Sequence, residues 1–165
     1  MVRTAKKSKS RTAAKRAPKR AAKSRFVNLG ANGKPTTGEH VAVLDRHTGL
    51  TWTAAPLNAG QGFTHEDALK ACSAVTLLGK RDWRAPTVQE LLSIIDYDRW
   101  NPAVDPAHFK GPYSWTWAST LVKGEGAPSG CARDVSLSGG YSCWDSQDDR
   151  GQALAVRASQ SLASR

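Results

Sequence analysis

Carboxylate side chains gather in two parts of this sequence, and both parts have the composition of loops. The first group is Asp96, Asp98 and Asp105. The second group comprises Asp145, Asp148 and Asp149. Loops rich in carboxylate oxygens suit Ca²⁺, but the spacing of neither group matches an EF-hand loop. Acids that cap turns and face solvent would give the same pattern, so no metal ligand is predicted.

Three cysteines, Cys72, Cys131 and Cys143, are too few and odd in number for a disulfide scaffold. Cys72 falls on the apolar side of a predicted helix, where it would be a small buried hydrophobic residue. Cys131 and Cys143 flank a predicted hairpin, and a turn centred on Gly139 would place position 131 opposite 147. Without a bulge the two would not pair, so free thiols are expected.

Nucleophilic catalysis finds no support among the remaining polar residues. The histidines His40, His47, His65 and His108 are scattered, and no serine lies in a G-x-S-x-G turn. His65 falls in the first turn of a predicted helix and is expected to face solvent. The sequence therefore predicts a chain that is not an enzyme, with no catalytic residue and no cofactor.

The stretch 140–150 (GYSCWDSQDDR) has the composition of a binding surface, since it mixes aromatic, small polar and charged residues. Trp115 and Trp117, further upstream, could contribute to the same surface. The alternative is that the aromatic residues belong to the core and the acids cap a turn. The candidate ligand-binding residues are Tyr141, Trp144, Asp145, Gln147, Asp148 and Arg150.

Almost all of the net charge of this chain lies at its N-terminus. Residues 1–25 hold 11 of the 24 lysines and arginines and no acidic residue, whereas the rest of the chain has a net charge of −1. This basic tail has no aromatic residue and too little apolar surface to fold alone, so it is expected to be disordered when free. It resembles the tails of linker histones and of histone-like bacterial proteins.

The expected partner of the basic tail is nucleic acid, bound through phosphates and without sequence preference. Another polyanion remains open as an alternative: an anionic lipid, an acidic polysaccharide or an acidic protein surface. A purely solubilising role is a third possibility. The candidate nucleic-acid-binding residues are Arg3, Lys6, Lys7, Lys9, Arg11, Lys15, Arg16, Lys19, Arg20, Lys23 and Arg25.

No apolar run approaches the roughly 18 residues that a membrane span requires. The basic start is not followed by the apolar stretch of a signal peptide, although a transit peptide is a further interpretation of its Arg, Ser and Ala content. The expectation is therefore a protein without a membrane span, either cytoplasmic or associated with a virion.

Local patterns divide the chain into four segments: a basic tail (1–25), a linker (26–38), a folded domain (39–157) and a frayed C-terminus (158–165). The domain begins with a hairpin over 40–53 that turns at Gly49. A helix over 65–77 follows, capped by Thr64 and ended by Gly79. A second helix begins after Thr87, which forms an S/T-x-x-E capping box with Glu90.

Strands dominate the rest of the domain. After a loop containing Asn101-Pro102 and Asp105-Pro106, alternation predicts a strand over 113–118. A hairpin then joins 132–137 to 141–144, and a last strand covers 152–157. The order of a hairpin, two helices and antiparallel strands predicts an α+β fold.

The string DWRAPTVQELL at residues 82–92 resembles the signature of the Lcl C-terminal domain family. Four further segments stand in the order of that family: 45–52, 101–105, 115–120 and 155–157. The resemblance implies a C-type-lectin-like fold related to that of formylglycine-generating enzymes. It also implies structural roles for this string, with Asp82 and Arg84 locking the loop and Trp83 filling the core.

Members of that family resemble binding or display modules, among them adhesins for sulfated polysaccharide and surface proteins of bacteria and phages. The leading hypothesis is a non-enzymatic binding module that its tail tethers to nucleic acid, with an unknown protein or glycan as the second ligand. One alternative is a phage or bacterial recognition protein for a receptor or glycan, with or without diversification by a retroelement. A second alternative, a formylglycine-generating type of oxidase, needs two neighbouring copper-binding cysteines, whereas Cys131 and Cys143 are twelve positions apart.

Overall fold

The computed structural model describes residues 24–159 of the chain. It contains two antiparallel sheets and two helices, so the predicted α+β class is confirmed. The predictions for residues 1–23 and 160–165 lie outside the described residues. None of the helices in residues 24–159 is long and apolar enough to cross a membrane.

The first sheet joins the two ends of the described chain. Its strands are β1 (Phe26–Leu29), β2 (Ala42–Asp45), β3 (Leu50–Thr53) and β7 (Val156–Ala158), in the order β1-β2-β3-β7. The predicted β2–β3 hairpin is confirmed, and Gly49 adopts a φ of 70° in its turn. This backbone conformation is accessible to glycine without the steric cost that a side chain brings.

The first strand corrects the predicted linker over 26–38. Phe26 pairs with Asp45 and Leu29 pairs with Ala42, so the folded domain begins before residue 39. The glycines and Pro35 that indicated a linker form the turn between β1 and β2. The loop patterns there are local, whereas β1 exists because its residues pair with residues of β2 that lie 13 to 19 positions later.

The two helices begin where the sequence predicts, and the first ends early. Helix α1 (His65–Ser73) begins after Thr64, whose hydroxyl accepts a hydrogen bond from the Asp67 N–H. Helix α2 (Val88–Ser93) has the complete capping box of Thr87 and Glu90. The predicted extension of α1 to residue 77 is wrong, because the chain turns after Ala74 and residues 77 and 80 bridge each other.

The second sheet contains the late strands in the order β4-β5-β6. These are β4 (Trp115–Leu121), β5 (Cys131–Ser136) and β6 (Ser142–Ser146), which confirms the predicted hairpin. The predicted strand over 152–157 is shorter, since only β7 is regular and Gln152 forms an isolated bridge with Thr116. Strand β6 has only one neighbour, so it is an edge of its sheet.

Two buried clusters form the core. One surrounds Trp52, Phe109 and Leu91 and includes Val135 of the second sheet. The other surrounds Trp83, Trp117 and Cys72 of α1. Because β4 and β5 send residues to both clusters, both faces of the second sheet are covered over these two strands.

The segment 82–90 fastens the last strand to the helices. Asp82 accepts two hydrogen bonds from Arg157 of β7, at 2.8 and 3.0 Å. Trp83 is buried, and the backbone of Arg84 pairs with Val156. The Arg84 guanidinium donates to both oxygens of Glu90 at 2.8 and 2.6 Å. The structural roles expected for Asp82, Trp83 and Arg84 are thus confirmed.

Arg25 differs from its predicted role as a nucleic-acid-binding residue. Its guanidinium donates to both oxygens of Asp45 at 2.9 and 2.7 Å and to the carbonyl of Ser93 at 2.7 Å. Burial by itself would raise the pKa of Asp45, but hydrogen bonds from Arg25, the His47 N–H and the Thr48 hydroxyl hold it below its usual value. Arg25 therefore belongs to the folded domain.

Replacing Arg25 with alanine should destabilise the domain by about 1–3 kcal/mol, because a buried carboxylate would lose its charged partner. Urea denaturation of the full chain at pH 7 measures this loss. Arg81→Ala is the matched control, since Arg81 is exposed and should change the free energy of unfolding by less than about 0.5 kcal/mol. Equal losses in the two variants would contradict a structural role for Arg25.

Candidate functional site

The predicted ligand-binding residues lie along β6 and the two turns that flank it, so they form a strip. Tyr141 precedes the strand, and Trp144 and Asp145 lie within it. Gln147, Asp148 and Arg150 follow it. A five-residue strand spans about 17 Å, so the structure does not bring the two ends of this set together. Tyr141 is 60% exposed and Trp144 is 45% exposed, which places both on the surface.

The two upstream tryptophans lie inside the domain. Trp117 is buried, and its indole N–H donates to the carbonyl of Phe63 at 2.9 Å. Trp115 packs edge-on against Trp117 and lies so close to Gly151 that a side chain there would clash. The suggestion that these tryptophans contribute to the binding surface is therefore wrong for Trp117, and Trp115 is a packing residue.

Gln147 and Arg150 tie the turn after β6 to the domain. The carbonyl of Gln147 accepts a hydrogen bond from the backbone N–H of His65, and Arg150 donates to the carbonyl of Gly62 at 3.2 Å. Asp148 is exposed. At this end of the strip, Arg150 is held through its side chain and Gln147 through its backbone, and no hydrogen bond engages the side chain of Asp148 among the described residues.

A pocket opens at the other end of the strip, where Tyr141 lies. Its volume is about 270 Å³, and it lies between the loop 95–103 and the hairpin turn at Gly139 and Gly140. Backbone hydrogen bonds hold these two segments together, from Asn101 to the Ser138 carbonyl and from Ala103 to the Leu137 carbonyl, at 2.9 and 2.8 Å. The ring of Tyr141 lies against Gly139, which is one of the residues that line the pocket.

Two residues of this pocket were missed by sequence reasoning. Tyr97 is 75% exposed and Trp100 is 77% exposed, which makes them the most exposed aromatic residues in the described part of the chain. Large aromatic side chains normally supply core area, so an aromatic in a loop carries no local signal of exposure. These two exposed aromatic residues line a single pocket, which we call the aromatic pocket, and Tyr141 lies next to it against Gly139.

Carboxylates surround the same pocket, and one arginine connects two of them. Arg99 donates from Nε to Asp96 at 2.8 Å, and its Nη2 lies 3.6 Å from Asp105. Asp98 has no ion-pair partner among residues 24–159. The guanidinium thus occupies the position that a cation would take between Asp96 and Asp105. Within residues 24–159, no three His, Cys, Asp or Glu side chains are grouped so as to hold a metal ion.

Strand β5, which pairs with β6, contains a buried acid, Asp134. It is 1% exposed, and its Oδ2 atom has no hydrogen-bond partner among the described residues. Burial and, after it, the carboxylate of Asp145 raise the pKa of Asp134, whereas Arg133 lowers it, and together they bring this pKa to about 6. Asp134 pairs across the ladder with Cys143. The predicted binding residue Asp145 therefore acts electrostatically on a buried neighbour.

The three cysteines were expected to be free thiols, and their positions in the fold can be compared with that expectation. Cys131 pairs with Ser146 and Cys143 pairs with Asp134, so these two cysteines lie three positions apart along the β5–β6 ladder, about 10 Å. All three cysteines are free. Cys72 is buried as predicted, and burial raises its pKa to about 12.

The expectation that His65 faces solvent is wrong. This side chain is buried, its Nε2 lies 2.9 Å from the carbonyl of Ala118, and its ring packs edge-on against Trp117. His65 therefore joins the start of α1 to β4.

The comparison with protein-family models agrees with the resemblance seen in residues 82–92. The Lcl C-terminal domain model matches residues 41–158, which covers more than half of the chain. The chain belongs to the Lcl C-terminal domain family. No curated protein and no solved structure matches the sequence. The match begins at β2 and ends at β7, so the aromatic pocket and the strip along β6 both lie inside this family domain, whereas β1 precedes it.

The buried carboxyl of Asp134 should make the stability of this domain depend on pH. Its pKa in the folded state exceeds that of an unfolded aspartate, so the folded state binds the proton more tightly. Stability is then highest below about pH 4 for this group and falls as the pH rises through about 6, by at most about 3 kcal/mol.

Denaturant unfolding at pH 5 and pH 8 measures this effect. Asp134→Asn should remove most of the loss between the two pH values, because asparagine does not ionise. Asp148→Asn, at an exposed position, should keep the pH dependence of the parent chain. An unchanged pH dependence in Asp134→Asn would show that this carboxyl is not the group responsible.

Proposed function

We propose that this chain is a non-enzymatic binding module whose domain binds a protein or glycan and whose basic tail binds nucleic acid. The observation that carries the proposal is the group of exposed aromatic residues at the β5–β6 hairpin and the loop packed against it: Tyr97, Trp100, Tyr141 and Trp144. Exposed aromatic side chains supply contact area at low entropic cost and are enriched at binding surfaces.

A C-type-lectin-like fold for this domain is part of the proposal. Two features of the described chain support it. The first and last strands share one sheet, and two helices precede a second sheet formed by the late strands. In folds of this kind the late strands and their loops carry the ligand, which agrees with the placement of Tyr141 and Trp144 at β6.

The separation of Cys131 and Cys143 supports a binding role over an oxidase. The β5–β6 register keeps Cys131 and Cys143 about 10 Å apart, which is too far for both thiolates to bind one copper ion. Fold alone does not decide function, so this argument rests on the register of these two residues.

The tail is tested by measuring duplex DNA binding from about 50 to 200 mM salt. For the full chain, affinity should fall steeply, with a slope of about −0.9 per phosphate neutralised. A full-length variant with the ten lysines and arginines of residues 1–23 changed to glutamine should lose most of this binding. Arg25 is kept in that variant, because it stabilises the domain through Asp45.

The matched control changes the exposed body cations Lys34, Arg81 and Lys123 to glutamine and should keep a slope close to that of the parent chain. Equal binding by the parent chain and the tail variant would contradict the nucleic-acid role of the tail.

The domain is tested on a glycan array with the same tail variant, so that sulfated glycans do not bind through the tail. Glycans retained by this variant should be lost after Tyr141→Ala or Trp144→Ala, and kept after Leu121→Ala, which removes an exposed apolar residue outside the aromatic group. Retention of binding in both aromatic variants would contradict the proposed surface. An array without any bound glycan would favour a protein receptor.

A further inference from the structure

We propose that the aromatic pocket is a receptor for cationic side chains and that its occupant is the chain's own basic segment, residues 1–23. In this arrangement the pocket holds lysine or arginine side chains of the tail until a polyanion displaces them. The proposed contact between the pocket and the tail does not depend on nucleic-acid binding. Only the displacement of the tail by a polyanion rests on the function proposed above.

The pocket has the chemistry that recognises a cation. Ammonium and guanidinium groups are attracted to the faces of aromatic rings, and tryptophan gives the strongest attraction. Tyr97 and Trp100 line the pocket and offer such rings in an exposed position, and Tyr141 lies against Gly139 of the pocket. A purely apolar ligand would not need the carboxylates that stand beside these rings.

The charge of the loop strengthens this interpretation. Residues 96–105 contain three carboxylates and one guanidinium, a formal net charge of −2. Arg99 is engaged with Asp96 and Asp105, which leaves the carboxylate of Asp98 as the unpaired acid at the pocket. Because Asp98 and Trp100 both line the pocket, it offers a lysine a carboxylate and an aromatic ring in the same space.

The point where the described chain begins makes the tail the best-placed cation. Arg25 donates to the carbonyl of Ser93, which lies three residues before Asp96, so residue 24 starts beside the loop that forms the pocket. An extended chain spans about 3.3 Å per residue. The contour length from Arg25 to Lys19 or Arg20 is therefore about 15–20 Å, which sets the reach of these two cations from their anchor.

Covalent attachment favours this occupant over one in solution. A tethered group samples its site at an effective concentration that reaches millimolar values for short connections. The tail brings ten lysines and arginines in residues 1–23 and no acid that would compete for them. The negative loop and the positive segment are thus complementary and joined by the anchor at Arg25.

The test is carbodiimide cross-linking of the full chain at low salt, read by mass spectrometry, because this reagent joins a lysine only to a carboxylate in direct contact. Links should join tail lysines, above all Lys19 and Lys23, to Asp98. They should exceed the links to Asp148 and Glu125, which are exposed acids outside the pocket and serve as internal comparators.

Substitutions then separate recognition from random encounter. Asp98→Asn should abolish the Asp98 link. Trp100→Ala should reduce that link about two- to fivefold, the range for one exposed cation–π contact. Trp144→Ala is the matched control, since it removes an exposed tryptophan outside the pocket and should leave the Asp98 link unchanged. Links that follow exposure alone and are unaffected by Trp100→Ala would overturn the proposal.

Two further arms identify the occupant. In a mixture of isotope-labelled and unlabelled chains, links should stay within one copy, and links between copies would overturn the intramolecular arrangement. Duplex DNA should suppress the Asp98 link in the parent chain. If DNA binding is absent while the link persists, the nucleic-acid proposal fails and the pocket proposal stands.

Discussion

The attachment of β7 to segment 82–90 is the constraint on which the rest of this domain depends. Arg157 joins Asp82, the Arg84 backbone joins Val156, and the Arg84 guanidinium joins the capping residue Glu90. One short segment thereby fixes both the last strand of the first sheet and the start of α2. Bidentate pairs of this kind define orientation as well as energy, because the planar guanidinium accepts only a narrow range of carboxylate positions.

The position of the aromatic pocket follows from that attachment. Helix α2 begins at the fixed capping box and leads directly into the loop 95–103, whose backbone hydrogen bonds meet the β5–β6 turn. The pocket is thus bounded by one segment from the first half of the domain and one from the second. The backbone that carries the exposed aromatic residues is therefore supported from both segments, and a supported backbone favours a defined binding site.

Structural features that depend on neighbouring residues can be predicted from the sequence. Features that depend on contacts between distant segments cannot. The capping box of Thr87 and Glu90, the turn at Gly49 and the β5–β6 hairpin all have local signals, and all three are confirmed. Strand β1 is not predicted, because it forms through pairing with β2 and has no local signal of its own. The burial of His65 and the exposure of Trp100 depend on which distant segments cover them, and no pattern within a few residues carries that information.

The charges of the tail and of the loop 96–105 indicate which of the two proposed contacts of the tail is stronger, that with a polyanion or that with the loop. Duplex DNA presents one negative charge per about 1.7 Å of its axis, and its binding gains from the release of many counterions. The loop 96–105 offers a formal net charge of only −2, so it interacts with one or two cations at a time. If the tail binds a polyanion as proposed, that contact is the stronger of the two, because every lysine and arginine of residues 1–23 can add to it. In the proposed arrangement the loop competes for these cations only when no polyanion is present.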